Sequence, residues 1–228
     1  MAAFAVVFAG FARTYYLKFL FGAPPLPWLL HLHGALMTSW FVLFFTQTRL
    51  IATHRIDVHR RLGIFGAVLA GLMVVIGATV ALRGAARDIH LSSVAGPPPL
   101  MVIGFFFAVL LVFATLVGAA LLLRHRSDYH KRMMLLSCLS MVGPGLTRIP
   151  FNQVPALAFL KSGGPFGLFG LDLLLLYACI AWDTWHRRRL HPAFVSGALL
   201  MIAAEDSPLI WLFLATPAWT HFAAQLVG

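Results

Sequence analysis

His54-Arg55-Ile56-Asp57-Val58-His59-Arg60-Arg61 is the stretch whose reading decides the fold. It returns as His125-Arg126-Ser127-Asp128-Tyr129-His130-Lys131-Arg132. A weaker echo, His186-Arg187-Arg188-Arg189-Leu190-His191, keeps both histidines but has arginine at the aspartate's place. Each copy lies between two long apolar runs. Three polar knots with one His-x4-His spacing therefore mark a repeated helical hairpin.

The runs around the knots set the class. The 228-residue chain is 61% hydrophobic and only 11% charged, with a mean hydropathy of +0.88, far from soluble averages. Several runs reach the roughly 18 residues needed to cross a bilayer core. The chain reads as all-α, a polytopic transmembrane helical bundle forming a single integral membrane domain over residues 1–228. Cys138 and Cys179 both fall inside apolar runs and read as small buried hydrophobes rather than a disulfide. The first run lacks a basic leader region and a small-x-small cleavage site, and reads as a retained span.

Seven spans are expected. The first covers about Ala2 to Phe21, with Arg13 and Lys18 snorkelling or the true start lying upstream. Hairpin repeats follow at about 26–82, 100–147 and 165–214. Their spans run from about Leu26 to Leu50, Val58 to Leu82, Leu100 to Leu123, Tyr129 to Thr147, Pro165 to Trp185, and Ala193 to Leu214. Gly143-Pro144-Gly145 loosens the far end of the fifth. After His191 two paths compete. In the favoured one, Glu205 and Asp206 lie inside an unbroken span, followed by a surface helix begun at Thr216-Pro217. In the other, Asp206 or Ser207 caps a last span beginning at Pro208.

The net charge of +10 is distributed as a topology signal rather than a nucleic-acid patch, and no nucleic acid is expected. Eleven of the seventeen basic residues sit in or beside the knots, which the positive-inside rule places in the cytoplasm. The location expected is an inner (cytoplasmic) membrane, with the N-terminus inside and the C-terminus outside. Anionic lipid headgroups at the basic loops are the expected partners, together with a membrane protein complex.

Residues five apart on a helix diverge by about 140°, so neither histidine pair in a knot converges on one ion. The knots read instead as a cytoplasmic structural corner. Asp57 and Asp128 cap the helices that follow, and His59 and His130 donate to a nearby carbonyl or carboxylate.

The opposite face offers a different constellation. In His31-Leu32-His33-Gly34 the two histidines lie about 200° apart on a helix, so one faces the bundle. His33 shares its stripe with Met37, Trp40 and Gln47. Topology brings Arg148 and Asp172 to the same outer half, where intramembrane ionisable groups face a partner or a cavity. His33, Arg148, Asp172, Trp40 and Asn152 thus form a candidate ligand pocket, with His90 and His221 at its rim. An Arg148–Asp172 pair locking two spans is the plainer alternative. A metal ion or haem would draw on His31, His33, His90 and His221. Membrane haem takes two axial histidines, here His33 with His90 or His221.

His31-x-His33-Gly34, Gln47-Thr48, Asp57-x-His59-Arg60-Arg61-Leu62-Gly63, Asp128-x-His130-Lys131-Arg132-Met133 and Gly143-Pro144 to Arg148-x-Pro150-Phe151 resemble a group of uncharacterised bacterial multi-pass membrane proteins. That resemblance covers spans two to five and implies a class, not a mechanism. A looser similarity to haem-binding b561-type bundles rests on histidines near helix ends. Three functional readings stand: a pocket for a small ligand, metal or haem, with redox linkage; a non-catalytic subunit or scaffold binding lipids and partner proteins; and a permease or proton-coupled carrier using Glu205 and Asp206. No catalytic residue is identified, since no nucleophile with its base, phosphate loop or ATPase motif is recognisable.

Overall fold

The helices Ile56–Asp88 and Ser127–Leu139 begin inside the first two knots, and Pro192–Met201 directly after the third. The computed structural model describes residues 2–89, 97–149 and 165–228, except the side chains of 165–172 and 206. Every regular element among them is helical: α1 (Ala2–Phe11), α2 (Trp28–Ala52), α3 (Ile56–Asp88), α4 (Pro99–Leu122), α5 (Ser127–Leu139), α6 (Gly143–Leu146), α7 (Pro165–Arg187), α8 (Pro192–Met201), α9 (Pro208–Leu214) and α10 (Pro217–Val227). Three of them, α2, α3 and α4, are long and apolar enough to cross a membrane. Their outward side chains are apolar too: Ile64, Val75 and Leu111 are each more than 60% exposed. In water that surface would be costly; against lipid tails it is not. The chain is a helical membrane protein.

Three expected spans are interrupted. The first is α-helical only to Phe11. Its ladder widens to a π-turn over Ala12–Tyr16 and tightens to a 3-10 turn over Lys18–Phe21, ending at Gly22 with φ of 62°. Arg13 lies in the widened turn with its guanidinium over the Phe21 ring at 5.1 Å. The fifth expected span stops at Leu139 rather than Thr147. Pro144 has no N–H for the Ser140 carbonyl and its ring crowds that carbonyl, so the helix restarts as the short α6.

The third interruption follows the last knot, where an unbroken span through Leu214 was favoured. Helix α8 passes into a π-turn over Ile202–Asp206. Ser207 is extended, and its hydroxyl accepts the Leu209 N–H at 3.1 Å with Pro208 in the first turn. The alternative cap is therefore the one used, and the two pieces meet at a bend of 43°. Thr216 starts α10 as expected, its Oγ1 accepting from Trp219 N–H at 3.4 Å. Helix α3 instead overruns its expected end, continuing through Gly84 to Asp88 on the good helix formers Arg83, Ala85, Ala86 and Arg87.

The chain divides into two compact units, Met1–Leu26 with Leu116–Leu199, and Pro27–Thr115 with Leu200–Gly228. In the second unit α2 and α3 pack as a hairpin, with Leu43 against Gly66 and Gln47 Nε2 donating to the His59 carbonyl at 3.2 Å. Trp40 is buried edge-on to Phe113, with centroids 5.0 Å apart, a pairing worth about 1 kcal/mol beyond its area. Ala85, Ile103 and Ala223 form a further cluster. Over it Trp219 Nε1 donates to the Leu100 carbonyl at 2.7 Å.

In the first unit α1 meets α6 backbone to backbone. A Cβ added to Gly10 would stand 2.0 Å from the Gly145 carbonyl oxygen. Helix α8 meets α5 at Gly197, where a Cβ would stand 2.3 Å from Leu136 Cδ1. Lipid offers helices no hydrophobic gain from associating, so small residues that allow such close packing carry much of the cohesion. Both cysteines are free thiols.

Candidate functional site

The second and third knots close on each other within the first unit. Helix α5 starts after Arg126, whose side chain makes no capping bond. Asp128 therefore lies in the first turn rather than at the cap. It still meets the positive helix end there, but its carboxylate is engaged elsewhere: Oδ2 accepts from His191 Nε2 at 3.0 Å.

His191 is the true capping residue, for α8. Its Nδ1 accepts the Ala193 N–H at 3.1 Å, with Pro192 in the first helical position. A ring nitrogen that accepts cannot carry the proton. The network therefore assigns the hydrogen to Nε2, which donates to Asp128. The ring is buried and Tyr129 packs edge-on against it at 4.8 Å.

The sixth residue of α5, Arg132, is 2% exposed. Its Nε donates to Asp183 Oδ2 at 3.0 Å and its Nη2 to Asp183 Oδ1, the fork geometry that suits a carboxylate. Nη1 donates to the Asp128 carbonyl at 2.6 Å. The guanidinium also lies 5.7 Å from the Phe194 ring centroid. Three helix ends, those of α5, α7 and α8, are thereby tied through one cation. His130 adds a fourth: its Nδ1 donates to the Ala120 carbonyl at 2.8 Å, one of the acceptors left open at the end of α4.

The His191 contact, followed by backbone N–H groups at Asp128 and Tyr129, holds the Asp128 carboxyl below its ordinary value of 3.8. A depressed carboxyl contributes stability that is present above the ordinary value and lost as pH falls through the lowered one. Asp128→Asn should accordingly lower Tm at neutral pH, and its deficit against the parent protein should shrink as pH falls below the usual carboxylate range. Parallel Tm-against-pH curves for the two proteins would contradict the assignment.

The first knot differs. Asp57 lies in the first turn of α3 after Arg55, which makes no side-chain cap, and Asp57, Arg60 and Arg61 are all exposed. His54 and Arg188 hold φ of 58° and 57° at helix ends where glycine is usual.

The outer constellation is distributed over both units. In α2, His31 is exposed, His33 half-buried and Trp40 in the core; His221 is exposed on α10. In the other unit Arg148 donates through Nη1 to the Pro144 carbonyl at 2.7 Å and lies 4.6 Å from the Phe11 ring centroid. Asp172 is a residue of α7 whose side chain is outside the described set, and Asn152 and His90 lie outside the described residues. Among the described residues no three histidine, cysteine or acidic side chains gather to hold a metal ion. Glu205 is buried in the π-turn before the break at Ser207.

Sequence reasoning missed Asp183, Arg132 and His191 as a set. The signal was available: Asp183 is an acid near the knot end of an apolar run, and such a group ordinarily faces a partner. Arg132, one turn into the preceding span, was the cation at matching depth.

The helical fold and the locked corner define a membrane protein in which one buried cation, Arg132, is matched by Asp183 within the chain. No family model, curated protein or solved structure matches it.

Proposed function

We propose that this chain is a bacterial inner-membrane protein of seven crossings, acting as a non-catalytic subunit or scaffold. Its cytoplasmic corners rest on anionic phospholipid headgroups and on partner membrane proteins. The observation that carries this reading is the division of roles in the second and third knots. Asp128, His130, His186 and His191 are spent on internal bonds, whereas Arg124, Arg126, Lys131, Arg188 and Arg189 at the same corner remain exposed. Each basic residue near an anionic leaflet contributes about 1 kcal/mol of attraction. Beyond α2, α3 and α4, the crossings are α1 with its widened end, α5 with α6, α7, and the bent pair α8–α9. The knots face the cytoplasm and the C-terminus lies outside.

Adding phosphatidylglycerol to the protein in neutral detergent should raise Tm. At about a hundred times the dissociation constant the gain is about 2.7 kcal/mol, roughly 5–10 °C for a chain of this size. Phosphatidylcholine should do little, and replacing the five exposed basic residues with glutamine should remove the difference. Equal shifts with both lipids would overturn the reading.

A second reading keeps the outer-half pocket for a small ligand, haem or metal around His33. It is favoured by Trp40 Nε1, which is buried along the His33 stripe without a hydrogen-bond partner among the described residues. Such atoms are costly unless something bonds them. A visible absorbance band or bound metal in purified protein, lost in His33→Ala, is the expected signature. A colourless, metal-free preparation removes the cofactor form.

A further inference from the structure

The repeat sets a template that one of its copies leaves unfilled. Aligning the first knot on the second places Asp57 at Asp128, Arg61 at Arg132, Phe65 at Leu136 and Val68 at Leu139. In α5 that face is covered: Arg132 is bound to Asp183, Asp128 to His191, and Leu136 and Leu139 are buried. In α3 the same positions are open. Asp57, Arg61, Phe65 and Val68 are all exposed, and neither Asp57 nor Arg61 forms an ion pair among the described residues.

The open face also has a repeat of its own. Asp57, Arg61, Ile64, Val68, Gly71 and Val75 are exposed and follow one another at alternating steps of four and three. That is the seam of a coiled coil. Gly71 has nothing within 4 Å of where its Cβ would stand, so a second helix could approach closely there. At its headgroup end the seam carries an acid and a base one turn apart, a pair that is self-complementary across a two-fold axis.

We propose that this face of α3 is the contact between two copies of the chain. A two-fold axis along the membrane normal brings each seam position beside its own equivalent. Arg61, whose long side chain reaches back toward the headgroups, then pairs with Asp57 of the other copy, and the exchange occurs twice. The seam thus supplies for itself the acid that α7 supplies to Arg132. Ile64, Val68 and Val75 interlock along the rest, with Gly71 at the closest approach. A lipid-covered face, or a different protein bearing the acid, would leave the copies apart.

Disulfide trapping in native membranes tests this. Cysteine is placed singly at Ile64, Val68 or Val75 in a Cys138→Ala/Cys179→Ala background, with Leu111→Cys on the exposed side of α4 as the control. Symmetry brings identical seam positions within disulfide reach, so the three seam cysteines should give covalent dimers and Leu111→Cys should not. Arg61→Asp should abolish the dimers, and Asp57→Arg/Arg61→Asp should restore them. Seam cysteines that stay monomeric, or that cross-link no better than Leu111→Cys, overturn the proposal. Light scattering on the unmodified protein in two detergents guards against a fault in the cysteine-free background. Dimer mass is expected, and monomer mass in both detergents also overturns it.

Discussion

Asp183→Leu should be the most destabilising single exchange of a charged residue in the chain. It leaves the Arg132 guanidinium, 2% exposed, with a positive charge and no counter-ion. Removing one partner of a buried pair costs about 3–5 kcal/mol, roughly 6–20 °C in Tm for a chain of this size. Membrane hydrogen bonds between helices average far less, and that smaller figure would apply if the exchange merely deleted a neutral bond. Here the orphaned charge decides. Asp183→Asn keeps an acceptor for Arg132 and should cost less. Arg132→Met/Asp183→Leu removes both charges from a packed site and should recover most of the loss. Thermal unfolding of the parent, Asp183→Leu, Arg132→Met and the double variant in one detergent checks the cycle. Independent, additive losses from the two positions would mean that they do not act as a pair.

Gly10→Ala should come close to it with a single methyl. The added carbon would stand 2.0 Å from the Gly145 carbonyl oxygen and 2.6 Å from its carbonyl carbon. Those atoms are backbone, so no side chain can rotate away. Helix α1 must lift off α6, and the Gly145–Val7 contact is lost with it. Overpacking typically costs 1–3 kcal/mol, and this exchange belongs at about 3 kcal/mol because rigid main chain is displaced. Gly118→Ala, with nothing within 4 Å of the added carbon, is the matched control and should be neutral or slightly stabilising. Equal Tm values for the two variants would deny the α1–α6 contact.

The helical class was legible because apolar length and loop charge are written directly in composition. The starts of α2, α3, α4 and α7 follow from the same signals, since a proline or polar knot ends each apolar run. The interruptions were harder. Pro144 announced a loosened end, but where α5 stops depends on which carbonyl the missing N–H leaves open. Ser207-Pro208 carries a full start signal for α9, in competition with the hairpin repeat, which favours an unbroken span. The polar corner was least legible. Asp128 looked like a cap because it precedes an apolar run, yet its partner lies in the third knot, far along the chain. Which acid meets which base depends on helix rotation, and a repeat in sequence does not fix rotation: Arg61 and Arg132 occupy equivalent positions with opposite burial.

The outer stripe shows the same limit. Periodicity separates His31 from His33, and the two do differ in exposure. Whether His33 shares a ligand with residues of other helices is a matter of assembly that periodicity does not carry.

We propose that this chain is a lipid-seated membrane scaffold. A native mass spectrum of the protein, purified with its own lipids, tests it most directly. Adducts at phospholipid masses are expected, retained at energies that strip neutral lipid and lost when Arg124, Arg126, Lys131, Arg188 and Arg189 are changed to glutamine. A bare polypeptide mass, or an adduct of haem or metal that persists in that variant, would contradict it.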